Sequence, residues 1–294
     1  MEAITAVNKE WTILSLLEWS AEYLQEKGFE STRLNAELLL CHTLQCERIQ
    51  LYTNFDKPLT PNELSVYKSY LKRRLSHEPV QYILGETEFM GLTLKVDKRV
   101  LIPRPETEIL VEQVIELVKT TGAKSILDIG TGSGNIPVSL AKFINEIEID
   151  SMDISKDALD VARSNADVHN VGNRIRFIHG DVHSYTDHLN NHSYDIIVSN
   201  PPYISSSEFT SVVSEVSEYE PSIATTDGGD GLTFYRTIQS AGKQLLKSNG
   251  WLIVEVAYNQ SKEVAGLFAS AGYKDIETIS DYAGIERIVK ARLS

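Results

Sequence analysis

Cysteine is nearly absent: Cys41 and Cys46 are the only two in 294 residues. They make no disulfide framework, and their spacing fits no common metal motif, so both are expected to be reduced thiols. No metal site is expected. No apolar run approaches the ~18 residues needed to cross a bilayer, so no membrane partner is expected either. The opening stretch "MEAITAVNKEWTILSLLEWSAEYL" is acidic and lacks the basic start and small-residue cleavage site of a secretion signal, which predicts a cytoplasmic protein. Positive charge is also in deficit, with 28 Lys and Arg against 41 Asp and Glu, a net charge of −13. The deficit is uneven. Residues 1–85 carry 9 basic against 11 acidic side chains, and residues 86–294 carry 19 against 30. An acidic main body repels phosphate backbones, so no direct nucleic-acid partner is expected; a basic protein or a cationic ligand suits it better. Internal repeats and low-complexity segments are lacking as well.

What is present divides into two patterns. From Glu10 to about Leu75 the spacing is helical. "WTILSLLEWSAEYLQEKG" carries apolar residues at 11, 13, 14, 16, 17, 21 and 24 and stops at Gly28. "STRLNAELLLCHTL" opens with a Ser or Thr cap at 31–32, and "TPNELSVYKSYLKRRL" opens with Thr60 followed by Pro61 in the first turn. These features predict a small N-terminal helical bundle over 1–77. Short apolar runs around Gly85 and Gly91 then predict a hairpin-like connector over 78–104.

Beyond 105 helices and strands alternate. "ETEILVEQVIELVKTTG" reads as an amphipathic helix, and "KSILDIG", "EIEIDSMDI", "RIRFIHGDV", "YDIIVSN" and "GWLIVEV" read as strands separated by helical stretches. Two further strand candidates close the chain. Near-continuous apolar strands alternating with helices predict an α/β domain over 105–294, built on a doubly wound, mostly parallel sheet.

Such sheets bind ligands beyond the carboxyl ends of their strands, where the strand order reverses. "LDIGTGSGN" places Gly130, Gly132 and Gly134 between a strand and a helix, with Thr131 and Ser133 interleaved. Glycines there permit positive φ and close approach of a ligand to the backbone. Their spacing is not that of a dinucleotide fingerprint, and the Lys-Ser/Thr of a P-loop is missing. Asp153 ends the next strand, at the roughly 20-residue offset where a carboxylate can take both ribose hydroxyls. Asp181 ends the strand after that, where an adenine edge could be met. The ligand these three strand ends suit is an adenosine without pyrophosphate, which suggests S-adenosylmethionine.

A second strand end carries "SNPPYIS". Two prolines cannot continue a paired strand, so the chain turns a stiff corner there. An amide or aromatic amine nitrogen is a poor nucleophile because its lone pair is delocalised. The Asn200 side-chain oxygen and the Pro201 carbonyl can each accept one N–H of such a group and push the lone pair out of conjugation toward a methyl donor. That is catalysis by positioning and fixed dipoles, without a strong base. Pro202 stiffens the corner, and Tyr203 would stack on the planar acceptor and exclude water.

"NPPY" behind "LDIGTGSGN" resembles the amino-group methyltransferases that use S-adenosylmethionine, whose acceptors include DNA adenine, rRNA guanine and protein glutamine. Further stretches narrow the resemblance. "VLIPRPETEILVE", "DGGDGLTFYRTI", "DYAGIERIVKAR", "EPVQYILGETEFMG" and the N-terminal "STRLNAELLLCHTL" are similar to the release factor glutamine methyltransferases, also called HemK or PrmC. The resemblance covers nearly the whole chain. It implies a Rossmann-like class I S-adenosylmethionine-dependent methyltransferase domain with a seven-stranded sheet, preceded by a helical bundle that helps dock the substrate. It implies methylation of N5 of the glutamine in the Gly-Gly-Gln motif of class I peptide-chain release factors, with S-adenosylhomocysteine as the other product, and so a part in translation termination. On that resemblance Gly130 to Gly134 and Asp153 bind the cofactor, Val182 after Asp181 touches the adenine, and Asn200 to Tyr203 hold the glutamine side chain.

Three features need their own physical reading. In "IPRPETE" the prolines fix an extended approach, and Glu106 and Glu108 favour the dipole of the first helical turn. Arg104 is left over, and is expected to order the cofactor pocket or the substrate segment. Residues 206–231 hold Glu208, Glu215, Glu218, Glu220, Asp227 and Asp230 without a Lys or Arg. They form either a solvated loop or an acidic rim that steers a basic substrate domain. His179, His183, His188 and His192 match no metal spacing and are expected at the surface. Two rival functions differ in sequence terms. A nucleic-acid methyltransferase would bring a basic recognition region, and a non-catalytic adenosine-binding module would need neither Asn200 nor Tyr203.

Overall fold

The computed structural model describes residues 10–184, 189 and 194–294. His188 and His192 lie outside them. The chain divides into two compact units, Met1–Gly85 and Glu86–Ser294.

The first unit is five helices: α1 Ile13–Glu26, α2 Thr32–Leu44, α3 Arg48–Thr53, α4 Pro61–Leu75 and α5 Val80–Leu84. Helix α1 buries Ile13, Leu16, Leu17, Ser20 and Leu24, the one-face spacing of an amphipathic helix. Its start is a capping box between Thr12 and Ser15, and Gly28, at φ +82°, turns the chain out of it. Thr60 and Glu63 form the same device at α4. The expected cap at 31–32 takes a different form: Ser31 stands at φ +49° and its hydroxyl makes no capping bond. The expected connector also divides. Residues 80–84 are a helix whose Val80 and Ile83 pack into the first unit's core.

The second unit begins with a hairpin, β1 Glu86–Phe89 and β2 Leu92–Lys95. Met90 and Gly91 make its two-residue turn, both at positive φ, which matches the twist of the strands they join. Helix α6 Pro105–Thr121 follows, with Pro105 in its first turn. Then come β3 Ser125–Ile129, α7 Asn135–Phe143, β4 Glu148–Asp153, α8 Lys156–Val168, β5 Ile175–His179 and β6 Tyr194–Ser199. Three helices of four to six residues, α9 Ser206–Phe209, α10 Ser214–Tyr219 and α11 Ser222–Thr225, interrupt the stretch where only a long loop is legible in the sequence. The chain closes with α12 Thr233–Leu245, β7 Leu246–Glu255, α13 Ser261–Ser270, β8 Lys274–Ser280 and β9 Glu286–Arg292.

Seven strands form one sheet in the order β5-β4-β3-β6-β7-β9-β8. The five strands from β5 to β7 are parallel, and β9 and β8 pair antiparallel. Alternate residues feed two cores. Ile126, Ile149, Ile196 and Ile253 pack with α6 and α7, and Leu127, Ile197, Leu252 and Val254 pack with Tyr235, Ile238 and Phe268 of α12 and α13. The order runs outward from β3 in one direction and from β6 in the other. The reversal between them is where an open parallel sheet offers a crevice.

Candidate active site

The register Ile129↔Ser199 between β3 and β6 carries the first glycine of the loop and Asn200 out of the sheet side by side. A Cβ added to Gly130 would lie 3.9 Å from the Asn200 carbonyl oxygen. A cleft opens over these strand ends. It is lined by Gly130 to Ser133, Asp153, Asp181, Val182, Asn200, Pro201, Pro202 and Arg104, together with Thr107 and Ile223.

The loop after β3 is held by its own geometry. Gly130, Gly132 and Gly134 stand at φ +80°, +52° and +80°. The amides of Gly130 and Thr131 both donate to the Met152 carbonyl, and Ser151 Oγ lies 2.6 Å from Thr131 Oγ1 and 3.0 Å from Asp128 Oδ2. Burial pushes the Asp128 carboxyl up to about 7. Gly134 differs from the sequence expectation. It is not among the lining residues, and a Cβ there would meet Ala162 Cβ at 3.0 Å, so this glycine serves the packing of the loop on α8.

Asp153 accepts from Gly132 N at 2.9 Å on Oδ2 and from Ser155 N at 2.8 Å on Oδ1. Burial raises its carboxyl, and those backbone amides pull it down. A carboxylate has about four acceptor positions, so acceptor capacity remains for a hydroxyl donor in the cleft. Asp181 sits two residues beyond the end of β5 rather than in it, its Oδ1 accepting from His183 N. Val182 is buried and packs into the core while its surface closes the cleft.

Asn200 is anchored by one edge of its amide. Nδ2 donates to Thr107 Oγ1 at 3.0 Å, and Thr107 donates to Glu255 Oε2 at 2.6 Å. Among the described residues nothing donates to Asn200 Oδ1 or to the Pro201 carbonyl. Tyr203 stands elsewhere than expected. It is not a lining residue; its ring packs partly buried against the core, and Gln260 Nε2 holds its carbonyl at 3.0 Å. Gly231 makes that possible, since a Cβ there would come within 2.8 Å of the same carbonyl.

Arg104 ends in an ion pair, its Nη2 2.6 Å from Glu220 Oε2, while Ile102 N donates to Glu220 Oε1 at 3.3 Å. Most acids of the following segment are engaged locally. Glu208 caps α9 with Ser205, Asp227 accepts from Gly229 N and Thr233 N, and Asp230 pairs with Arg236. His179 and His183 are exposed.

Residues 15–85 match the PrmC N-terminal domain family, and residues 105–230 match the methyltransferase small domain family. A release factor glutamine methyltransferase of Geobacter sulfurreducens is 42% identical over 283 residues, covering 96% of this chain and 97% of the relative. One of Chlorobaculum tepidum is 40% identical over 286 residues, covering 95% and 96%. The chain belongs to the release factor glutamine methyltransferase family. Among solved structures, the catalytic domain of hMettl16 in complex with a 3′UTR hairpin superposes with a TM-score of 0.56 over 79% of this chain and 82% of that one, at 17% identity. That likeness concerns the fold, a class I methyltransferase domain.

Within this family member, two residues of the site carry no mark in the sequence. Thr107 reads there as one more first-turn residue of α6. Glu255 reads as the end of an apolar strand, although a lone acid closing "WLIVE" is the signal that could have found it.

Proposed function

We propose that this chain transfers a methyl group from S-adenosylmethionine to N5 of the glutamine in the Gly-Gly-Gln motif of class I release factors. The observation that carries the reading is the pair of unpartnered acceptors, Asn200 Oδ1 and the Pro201 carbonyl, beside the glycine loop at the strand reversal. Two acceptors on a rigid corner match the two N–H groups of one amide. Taking both holds the nitrogen still and favours its lone pair leaving conjugation with the carbonyl, so orientation and fixed dipoles supply the catalysis and one amide proton leaves after transfer. Tyr203, held through its carbonyl, fixes the corner from the core side.

The cleft suits the cofactor by its donor set. Gly130 and Gly132 have no side chain to fill the space above the loop, and Asp153 keeps acceptor capacity for a ribose hydroxyl. Asp181 and Val182 would meet the adenine. When bound, the cofactor supplies a methyl group on a positively charged sulfur, to which an acidic domain is favourable. We assign docking of the release factor to the N-terminal helical unit, which exposes Leu34, Ile49, Tyr52 and Phe55. Family membership supports the substrate assignment.

Radiolabelled cofactor offered with a release factor, its Gln→Ala variant and bulk nucleic acid tests the reading. Label in the intact factor alone is the expected result. Label in nucleic acid, or equal label in the Gln→Ala variant, overturns it.

A further inference from the structure

An asparagine amide is nearly symmetric in shape, and its terminal torsion is broad, so packing alone does not decide which edge faces a cleft. Here the hydrogen-bond partners decide. We propose that Thr107 and Glu255 are positioning residues that set the Asn200 amide with its oxygen, not its nitrogen, toward the substrate. The inference rests on the glutamine-amide reading above.

The polarity of the chain is forced from its buried end. Glu255 is 2% exposed and closes β7, where the register Ser199↔Val254 brings it beside Asn200. In its ionised form, reached as pH rises through about 7, the carboxylate only accepts, so the Thr107 hydroxyl must donate its one proton to Oε2. The Thr107 oxygen then offers only lone pairs to Asn200, and of the two amide edges only Nδ2–H can use them. Oδ1 is thereby left on the other edge. The reversed amide would set Oδ1 against an oxygen with no proton to give and present N–H groups to the N–H groups of the substrate.

Burial pushes the Glu255 carboxyl up to about 7; the Thr107 hydroxyl and the Asn200 amide pull against that rise and so favour the accepting form. Thr107 is itself 1% exposed, so its hydroxyl has no water to exchange for Glu255. Pro105 starts α6 at the cleft wall, which puts Thr107 in the third position of the helix and on the cleft lining. Helix α6, the residue after β6 and the end of β7 each contribute one member, and neither hydrogen bond is local in sequence.

The test compares Thr107→Val, which keeps shape and removes the hydroxyl, with Thr107→Ser, which restores it. With a release factor as substrate, Thr107→Val should lower kcat about 10- to 100-fold, as misplacement of a reacting group does, with cofactor affinity unchanged. Thr107→Ser should recover most of the loss. In parallel, the side-chain amide signals of Asn200 in protein labelled with nitrogen-15 asparagine should move in Thr107→Val and return in Thr107→Ser. Normal kcat in Thr107→Val overturns the proposal, as does a Thr107→Ser variant as impaired as Thr107→Val, or Asn200 signals that ignore both changes. If the unmodified protein labels no release factor, the functional reading fails, and the amide signals alone still decide the positioning role.

Discussion

Arg104 and Glu220 meet at 2.6 Å across the cleft wall, with the Glu220 side chain 1% exposed and that of Arg104 35% exposed. The pair ties the extended segment before α6 to the end of α10. Burial raises the Glu220 carboxyl against the pull of Arg104, so the carboxylate depends on this partner. Arg104→Ala should destabilise the second unit by about 1–3 kcal/mol, the cost of stranding a buried polar group. It should also raise the KM for the release factor. Adding Glu220→Gln should return much of the stability, read as the urea midpoint. Unchanged stability and methyl transfer in Arg104→Ala would remove the pair from any ordering role.

Asp153 is expected to act on binding more than on chemistry. Asp153→Asn keeps one acceptor oxygen and loses the charge, so charge-assisted hydrogen bonds to a diol weaken by about 1–3 kcal/mol. Cofactor affinity measured by calorimetry should fall roughly 10- to 100-fold, while kcat at saturating cofactor stays within a few-fold. A loss confined to kcat would place Asp153 outside the cofactor site.

Asn200→Ala removes one preorganised acceptor and should cost on the order of 3 kcal/mol in the transition state. The loss should appear in kcat and in kcat/KM together, because the contact matters most as the nitrogen lone pair leaves conjugation. Near-normal single-turnover rates would contradict the mechanism.

Part of this cleft's lining is legible in the sequence alone, and the reason is local. Glycines between a strand and a helix, and two prolines ending a strand, are backbone requirements that only those residues meet, so Gly130, Gly132, Pro201 and Pro202 announce themselves. The adjacency of β3 and β6 follows from the doubly wound topology, in which the strand order reverses between them. Thr107 and Glu255 are of another kind. Their meaning arises only when the register Ser199↔Val254 and the packing of α6 bring three distant segments together. Glu220 shows the same limit: in sequence it is one of six equivalent acids, and only the fold buries it against Arg104. Helices α9, α10 and α11 are too short to show a period, and Gly134 looks like its neighbours until Ala162 is seen behind it.

The acids left to act at long range are fewer than the sequence suggests, since Glu208, Glu220, Asp227 and Asp230 hold the loop itself. Glu218 is exposed on α10. Reversing its charge should lower kcat/KM for a release factor and flatten its dependence on salt, with kcat nearly constant. Kinetics that do not respond would leave α10 as a solvated surface.

Glu255 also has a consequence for stability. Its carboxyl is pushed from the ordinary 4.5 up to about 7, chiefly by burial. The folded state therefore holds a proton that the unfolded state has released between those two values. Stability from this group is present below about pH 4.5 and lost as pH rises through about 7, a total of roughly 3 kcal/mol. Asp128, raised from 3.8 to about 7 by its own burial, adds a loss of the same sign. Glu255→Gln removes the first contribution and leaves the second. The variant should thus match the unmodified protein near pH 5 and exceed it near pH 8, with urea midpoints diverging as pH rises. Parallel midpoints across that range would mean that Glu255 ionises in the fold as readily as in water. The hydrogen bonds from Thr107 and Asn200 would then offset its burial.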